Sequence, residues 1–412
     1  MKQPTKALFW AFALYAVLSL VSMATMSIGA GILFVVIAAE LGGPKSLGQA
    51  IWKELRHPLF RIYCVLSLGL AAACVLSLWA AKAYPLSYGG RAVHVRFWSD
   101  IAKLGYFLWP LILVAGLRAL SKEARASVLR VWIGAFALLS VIGIAQYFTG
   151  WPRPRPIPGI FHRFHATLFL GHHLSVASIL IFPFFAALDL ARGRRKAVLW
   201  AIVAAGLLCL IATYSRTLWL ALPFGILVWI LWSLPKRWAW IGVSLLVMGA
   251  IGASQLPQVQ ARLHGTIGIQ TREALWKANL EFFKERPWTG VGWRKNGELS
   301  GYYLLAENPG VNSVFSGHAH NNFLDLLGGT GIIGTLPWLA WCAFAVFLAF
   351  TCVKKGDEIA PFAKGLVCAW IVFQLNGLTQ VNFWEGKVMH QMMWVLAWSL
   401  LWVGMKAGNE RV

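Results

Sequence analysis

Apolar runs of about 20 residues recur along this chain, each long enough to cross roughly 30 Å of hydrocarbon. That feature leaves few folds open. In a bilayer every unpaired backbone N–H or C=O costs several kcal/mol, so only helices and closed barrels span it. The runs lack the alternating apolar–polar pattern of barrel strands, so they read as helices. Composition agrees: 58% of the 412 residues are hydrophobic and 13% charged, about half the charge of a soluble domain. Several of the 23 Trp lie at the ends of runs, where indoles favour the interface. The fold class expected is an all-α polytopic membrane protein.

About twelve spans are expected, at 7–22, 25–41, 59–82, 100–118, 127–149, 166–189, 197–214, 217–234, 238–255, 321–352, 363–381 and 387–405. The stretch 7–41 is too long for a signal-peptide core and suits a helical hairpin. The tenth run is overlong, so it should begin as a polar-lined segment or be kinked, with Pro337 as the kink point. Cys64, Cys74, Cys209, Cys342, Cys352 and Cys368 all fall in apolar runs. Their spacing fits neither a zinc site nor a disulfide framework, so they read as small core residues.

Lys and Arg set the orientation. With the N-terminus inside, the inner side carries twenty-one of them. Short outer loops carry seven: Arg91, Arg96, Arg153, Arg155, Arg163, Arg216 and Lys387. Both termini are therefore expected in the cytoplasm. Much of the +22 net charge is topological and needs no nucleic acid to explain it. The helices of 1–255 and 321–412 then flank an outer loop domain at 256–320. It contains an amphipathic helix at 271–286, opened by Arg272. Leu275, Ala278 and Phe282 form one stripe, and Trp276, Leu280 and Phe283 an adjacent one. Pro287 ends the helix, and Gly290, Gly292 and Gly297 mark tight turns.

In this orientation nine of the ten His are on or near the outer side: His94, His162, His165, His172, His173, His264, His318, His320 and His390. His172 and His173 are adjacent, so they cannot both face lipid. Among the cations, Arg216 sits in a turn of two or three residues that holds it at the membrane surface. Arg153, Arg155 and Arg163 lie in the preceding outer loop, and Lys82 at the outer end of span three. Guanidinium groups bind phosphate oxygens bidentately and stay charged at any relevant pH. Taken alone, Arg216 and Lys82 also suit interfacial anchors, Arg272 a solvated helix-start residue, and His318 or His320 an interfacial polar residue. A metal site at His318-Ala319-His320 is disfavoured, since Asp325 is the only nearby carboxylate and Asn is a poor zinc ligand.

In combination these residues resemble the O-antigen ligase family, membrane glycosyltransferases of the GT-C type that share a module with O-antigen polymerases. The family places a His, then Asn, Ser or Gln, then nine residues, then Gly after its large loop. Here His320 and Asn321 are followed by residues 322–330 and then Gly331. A second motif, Arg after Ser at the start of a span, matches Ser215-Arg216-Thr217. A third, a loop Arg with an aromatic four residues on, matches Arg272 and Trp276. The run Arg286-Pro287-Trp288-Thr289-Gly290-Val291-Gly292 is similar to the family as well.

The resemblance implies transfer of an O-antigen polysaccharide from undecaprenyl diphosphate to lipid A–core oligosaccharide, at the periplasmic face of a bacterial inner membrane. Membrane lipids are the other partners, with no nucleic acid. His320 is the implied general base and Arg216 and Arg272 the stabilisers of diphosphate. His318 or Asn321 would orient His320, and Arg155, Arg163 and Lys82 are further candidates for substrate contact. No cofactor is expected, and the transfer is expected to be metal-independent and inverting. An O-antigen polymerase and a protein O-oligosaccharyltransferase remain enzyme alternatives. An anion transporter is the alternative of another kind, though here the polar groups gather at one face rather than at the midplane.

Overall fold

The computed structural model describes residues 6–84, 86–88, 91–92, 98–194, 196–257, 259–260, 267–308, 310 and 314–405. His94, Arg96 and His264, counted above on the outer side, lie outside the described residues, as do Lys2, Arg195, Lys406 and Arg411.

Each expected span has a helix. In chain order they are α1 (Lys6–Leu18), α2 (Met23–Glu40), α3 (Pro44–Glu54), α4 (Pro58–Ala83), α5 (Trp98–Ile101), α6 (Trp109–Ala119), α7 (Lys122–Thr149) and α8 (His173–Arg194). They continue with α9 (Ala197–Ala212), α10 (Arg216–Ser233), α11 (Lys236–Ser254), α12 (Ile267–Glu285) and α13 (Asn296–Glu307). The last are α14 (Asn322–Val353), α15 (Ala363–Asn376) and α16 (Gly386–Val403). A 3-10 turn, Ala102–Leu108, joins α5 to α6. Among the described residues the only strands are a two-residue antiparallel pair, Ser87 opposite Ala92 and Tyr88 opposite Arg91.

Among the described residues eight helices are long and apolar enough to cross a membrane, and α1, α9 and α15 are shorter apolar helices. The centre is α16, which packs on α2, α4, α6, α8 and α14 and buries every residue from Val388 to Val403. Its His390 and Gln391 find partners, whereas the buried indole N–H groups of Trp394, Trp398 and Trp402 have none among the described residues. The His390 ring meets the hydroxyls of Tyr15 (3.0 Å) and Tyr106 (3.3 Å), while Gln391 bonds Ser19 and Trp132. Unpaired, such groups would each cost on the order of 1–3 kcal/mol. By contrast α11 buries only Ala239, and its exposed apolar side chains suit a lipid-facing position. All six Cys are free, five of them buried, as core residues should be.

Three differences from the sequence reading bear on the site. Span six was expected from 166, but the helix begins at His173; residues 166–172 run as turns against the C-terminal end of α9, with Ala166 N–H donating to Ala212 O (2.9 Å). Span eleven was expected through 381, but α15 ends at Asn376. The third concerns the tenth run. It is broken at Gly331 (φ 60°, ψ −160°), not at Pro337, which stays inside the helix.

The break falls at Gly331 because only there does another segment replace the lost helical hydrogen bonds. Residues 287–292 lie alongside it. Val291 and Gly292 donate to the carbonyls of Gly328 (3.0 Å) and Gly329 (2.9 Å), and Ile332 and Ile333 donate to those of Pro287 (2.9 Å) and Trp288 (3.1 Å). Irregular backbone within a span is tolerated when protein buries it and pairs it in this way. Gly is required: a Cβ on Gly331 would sit 2.5 Å from the Trp288 carbonyl, and one on Gly290 2.4 Å from Gly329 C.

Candidate active site

The segments 150–172, 213–215, 267–308, 314–321 and 377–385 meet at one end of the bundle, where bonds between them build the site. The strip His318-Ala319-His320 is pinned at its middle residue. The N–H of Ala319 donates to Asp325 Oδ1 (3.1 Å), and its carbonyl accepts from Trp276 Nε1 (2.7 Å). Asp325, buried in the first turn of α14, also accepts from Asn296 Nδ2 (2.8 Å), which reaches Asn279 Oδ1 (2.7 Å) as well. Trp276, Asn279 and the buried Leu275, Ala278 and Phe282 all belong to α12. The predicted apolar stripe therefore packs inward as expected, while Leu280 of the adjacent stripe stays exposed. Arg272 lies more than a turn inside α12 rather than at its start, one turn before Trp276. From there its charge acts on both His318 and His320.

His320 takes a left-handed backbone conformation (φ 48°). Its N–H donates to His318 Nδ1 (3.2 Å), and the two rings are 4.3 Å apart. Its own Nδ1 lies 3.2 Å from Gln380 Oε1. An amide oxygen only accepts, so Nδ1 carries the proton and Nε2 offers a lone pair. Burial pushes the His320 imidazole down to about 4; His318 and Arg272 push the same way, and the Gln380 bond and Asp325 oppose them. Burial, Arg294 and Arg272 lower His318 as well. Both rings are neutral at pH 7.

Arg216 begins α10, capped by Ser215, whose hydroxyl accepts from Leu218 N–H (3.4 Å). The turn before it is braced. His165 Nδ1–H donates to Thr213 O (3.0 Å), and the His165 ring stacks on His173 at 4.3 Å. Beyond Arg216, Thr217 and Thr379 hydroxyls are hydrogen-bonded. Residues 377–383 thus hold both halves of the site. Thr379 fastens the start of α10, Gln380 the His320 ring, and Asn382 meets Asn322 (2.6 Å), while Gly377 O accepts from Asn322 N–H (2.8 Å). Arg272 is partly buried, and its guanidinium is destabilised by burial and by Arg216. An anion between two partly desolvated guanidiniums that repel each other would relieve both.

The other expected residues divide. Arg155 reaches Gly171 O (3.4 Å), next to His172, whose ring feels both His318 and His320. Asn321 does not orient His320: its side-chain oxygen caps α14, accepting from Leu324 N–H (3.0 Å). Arg163 lies over the rings of Phe148 (5.0 Å) and Tyr147 (5.7 Å), lining an apolar cavity of about 640 Å³ with Tyr214 and Trp219. Lys82 stands exposed in the last turn of α4. Sequence reasoning missed Thr379, Gln380, Asn382 and Asn296, and it counted Lys387 only for orientation. For the first three the signal was the polar run Asn376 to Asn382, most of which the eleventh span covers. Among the described residues no group of three His, Cys, Asp or Glu side chains converges as a metal set.

A membrane-type helical bundle with basic and imidazole groups joined at one end defines a class of integral membrane protein with a surface site. Residues 201–339 match the family model described as O-antigen ligase. The match contains Arg216, Arg272, Trp276, His318, His320 and Gly331. No curated protein matches the chain.

Proposed function

We propose that the protein is a GT-C-type glycosyltransferase with about twelve spans. It transfers O-antigen polysaccharide from undecaprenyl diphosphate to lipid A–core at the periplasmic face of the bacterial inner membrane. The observation that carries this reading is the bond from His320 Nδ1–H to Gln380 Oε1, which leaves Nε2 as the base beside Arg272. The O-antigen ligase domain supports the ligase or polymerase class of activity.

In the proposed step, the acceptor hydroxyl oxygen attacks the anomeric carbon of the donor glycan as its proton passes to His320 Nε2. The bond from that carbon to the diphosphate oxygen breaks, and undecaprenyl diphosphate leaves with the electron pair. Arg216 and Arg272 stabilise the developing charge, each by a few kcal/mol. His318 holds the backbone of His320, and Gln380 holds its ring. A single displacement inverts the anomeric configuration. The two guanidiniums fill the role a metal ion plays in other transferases, so turnover should survive exhaustive chelation.

A deletion strain separates ligase from polymerase. Free polymer on the undecaprenyl carrier with bare lipid A–core means ligase; single capped repeat units mean polymerase; unaltered glycolipid means neither. With purified components, His320→Ala should lose about 10²–10⁴-fold in rate. Activity near wild type would remove His320 from the mechanism.

A further inference from the structure

Three cations converge on one turn next to the His pair, and the proposed step uses none of them. Lys387 Nζ donates to the carbonyl of Leu170 (2.9 Å) and Arg155 Nη1 to that of Gly171 (3.4 Å). Gly171 is at φ 75°, and a Cβ there would lie 3.1 Å from Nη1 of Arg153. His172 follows immediately. Burial first, then Arg155, Lys387, His320 and His318 hold its ring down to about 4, and no carboxylate is among these groups. The acid nearest this cluster in sequence, Glu385, is bonded by Ser175 Oγ; burial raises its carboxyl, and Ser175 and Lys387 act the other way.

Fastening the turn does not account for the cluster. Two Arg and one Lys carry roughly thirteen N–H donors, and the turn takes one from Lys387 and one from Arg155. Arg153 and Arg155 are exposed. Like charges gathered beside a buried imidazole repel one another until an anion joins them. The diphosphate already has its own pair, Arg216 and Arg272. The second cluster is linked to the His pair through His172, and the base there faces the acceptor.

We infer that Arg153, Arg155, His172 and Lys387 form a second anion subsite beside His318 and His320, taking a phosphate or carboxylate group carried by the acceptor. This rests on the reading that the diphosphate sits at Arg216 and Arg272. Each charge-assisted bond to such a group is short and about twice as strong as a neutral one.

Binding tests it without requiring turnover. The full-length protein is placed in zwitterionic nanodiscs and titrated with two acceptor glycolipids that differ only in having phosphate esters intact or removed. Wild type should bind the phosphorylated acceptor at least about tenfold more tightly, a difference of 1.4 kcal/mol. Arg155→Ala/Lys387→Ala should lose that preference and keep its affinity for polyprenyl diphosphate. Arg155→Lys/Lys387→Arg should retain most of it, which separates charge from folding. The subsite is overturned by any of four results: no preference in wild type, a preference that survives the double alanine variant, an equal loss of polyprenyl diphosphate binding, or a preference abolished by anionic phospholipid in the disc. The last would make a lipid headgroup the occupant. A wild type that shows the preference but transfers nothing would instead overturn the glycosyltransfer reading.

Discussion

His320 is held in an unusual state by ordinary bonds. A non-glycine residue at φ 48° is strained by about 1 kcal/mol or more; the bonds to His318 and Gln380 offset this. Its lowered value fixes the sign of a pH effect. The neutral base persists down to about 4, so kcat/KM should stay flat from pH 7 to near 5 and fall only below that. Gln380→Glu places a carboxylate on Nδ1–H and favours the imidazolium, so the acid limb should move up toward neutrality. A pH–rate profile for the two proteins checks both statements, and an unmoved limb in the variant would remove Gln380 as the residue that positions the ring. For the cations, Arg272→Ala should cost about 10²–10³ in kcat. Arg272→Lys should recover little, because an ammonium lacks the planar fork. Steady-state rates on a lipid-linked donor decide this. Arg272 and Trp276 stand out in the sequence as a pair one turn apart on α12: the indole pins Ala319, and the guanidinium's charge acts on the imidazoles. Gln380 has no such local signature, since its partner is sixty residues away.

The elements differ in how much of them local sequence dictates. Helix α12 follows from its own pattern, because Leu275, Ala278 and Phe282 repeat at helical spacing and all three are buried. The broken α14 does not. Its apolar content runs unbroken through Gly331, and Pro337 is the stronger local breaker, yet the break follows the 287–292 segment docked from the preceding loop. The motif glycine is therefore a site of close backbone approach. Gly331→Ala should cost at least about 2 kcal/mol, because a Cβ must displace the Trp288 carbonyl and the residue must hold φ 60°. Thermal unfolding in detergent should show a lowered Tm with activity lost alongside it. Gly290→Ala should behave likewise, and the pair should be less than additive because both disturb one ladder. A Gly331→Ala protein as stable as wild type would refute this account of the break.

For the architecture as a whole, the charge bias makes the clearest prediction. With twenty-one Lys and Arg assigned to the inner side against seven in the short outer loops, reporters fused after residue 412 and at the N-terminus should both read cytoplasmic, and a reporter within 256–320 should read periplasmic. A periplasmic C-terminus would invert the assignment of the site. The sequence by itself determined the helical membrane class and the helix order, and it marked the candidate residues of the site. These depend on apolar length, charge bias and motif spacing, which are properties of contiguous chain. Only the tertiary structure decided that Gln380 rather than Asn321 orients His320, that Arg163 lies against aromatic rings while Arg155 joins His172, and that the long helix breaks at Gly331. Each of these depends on which distant segment supplies a hydrogen bond or a charge, and a buried polar group takes its role from the partner that packing brings to it.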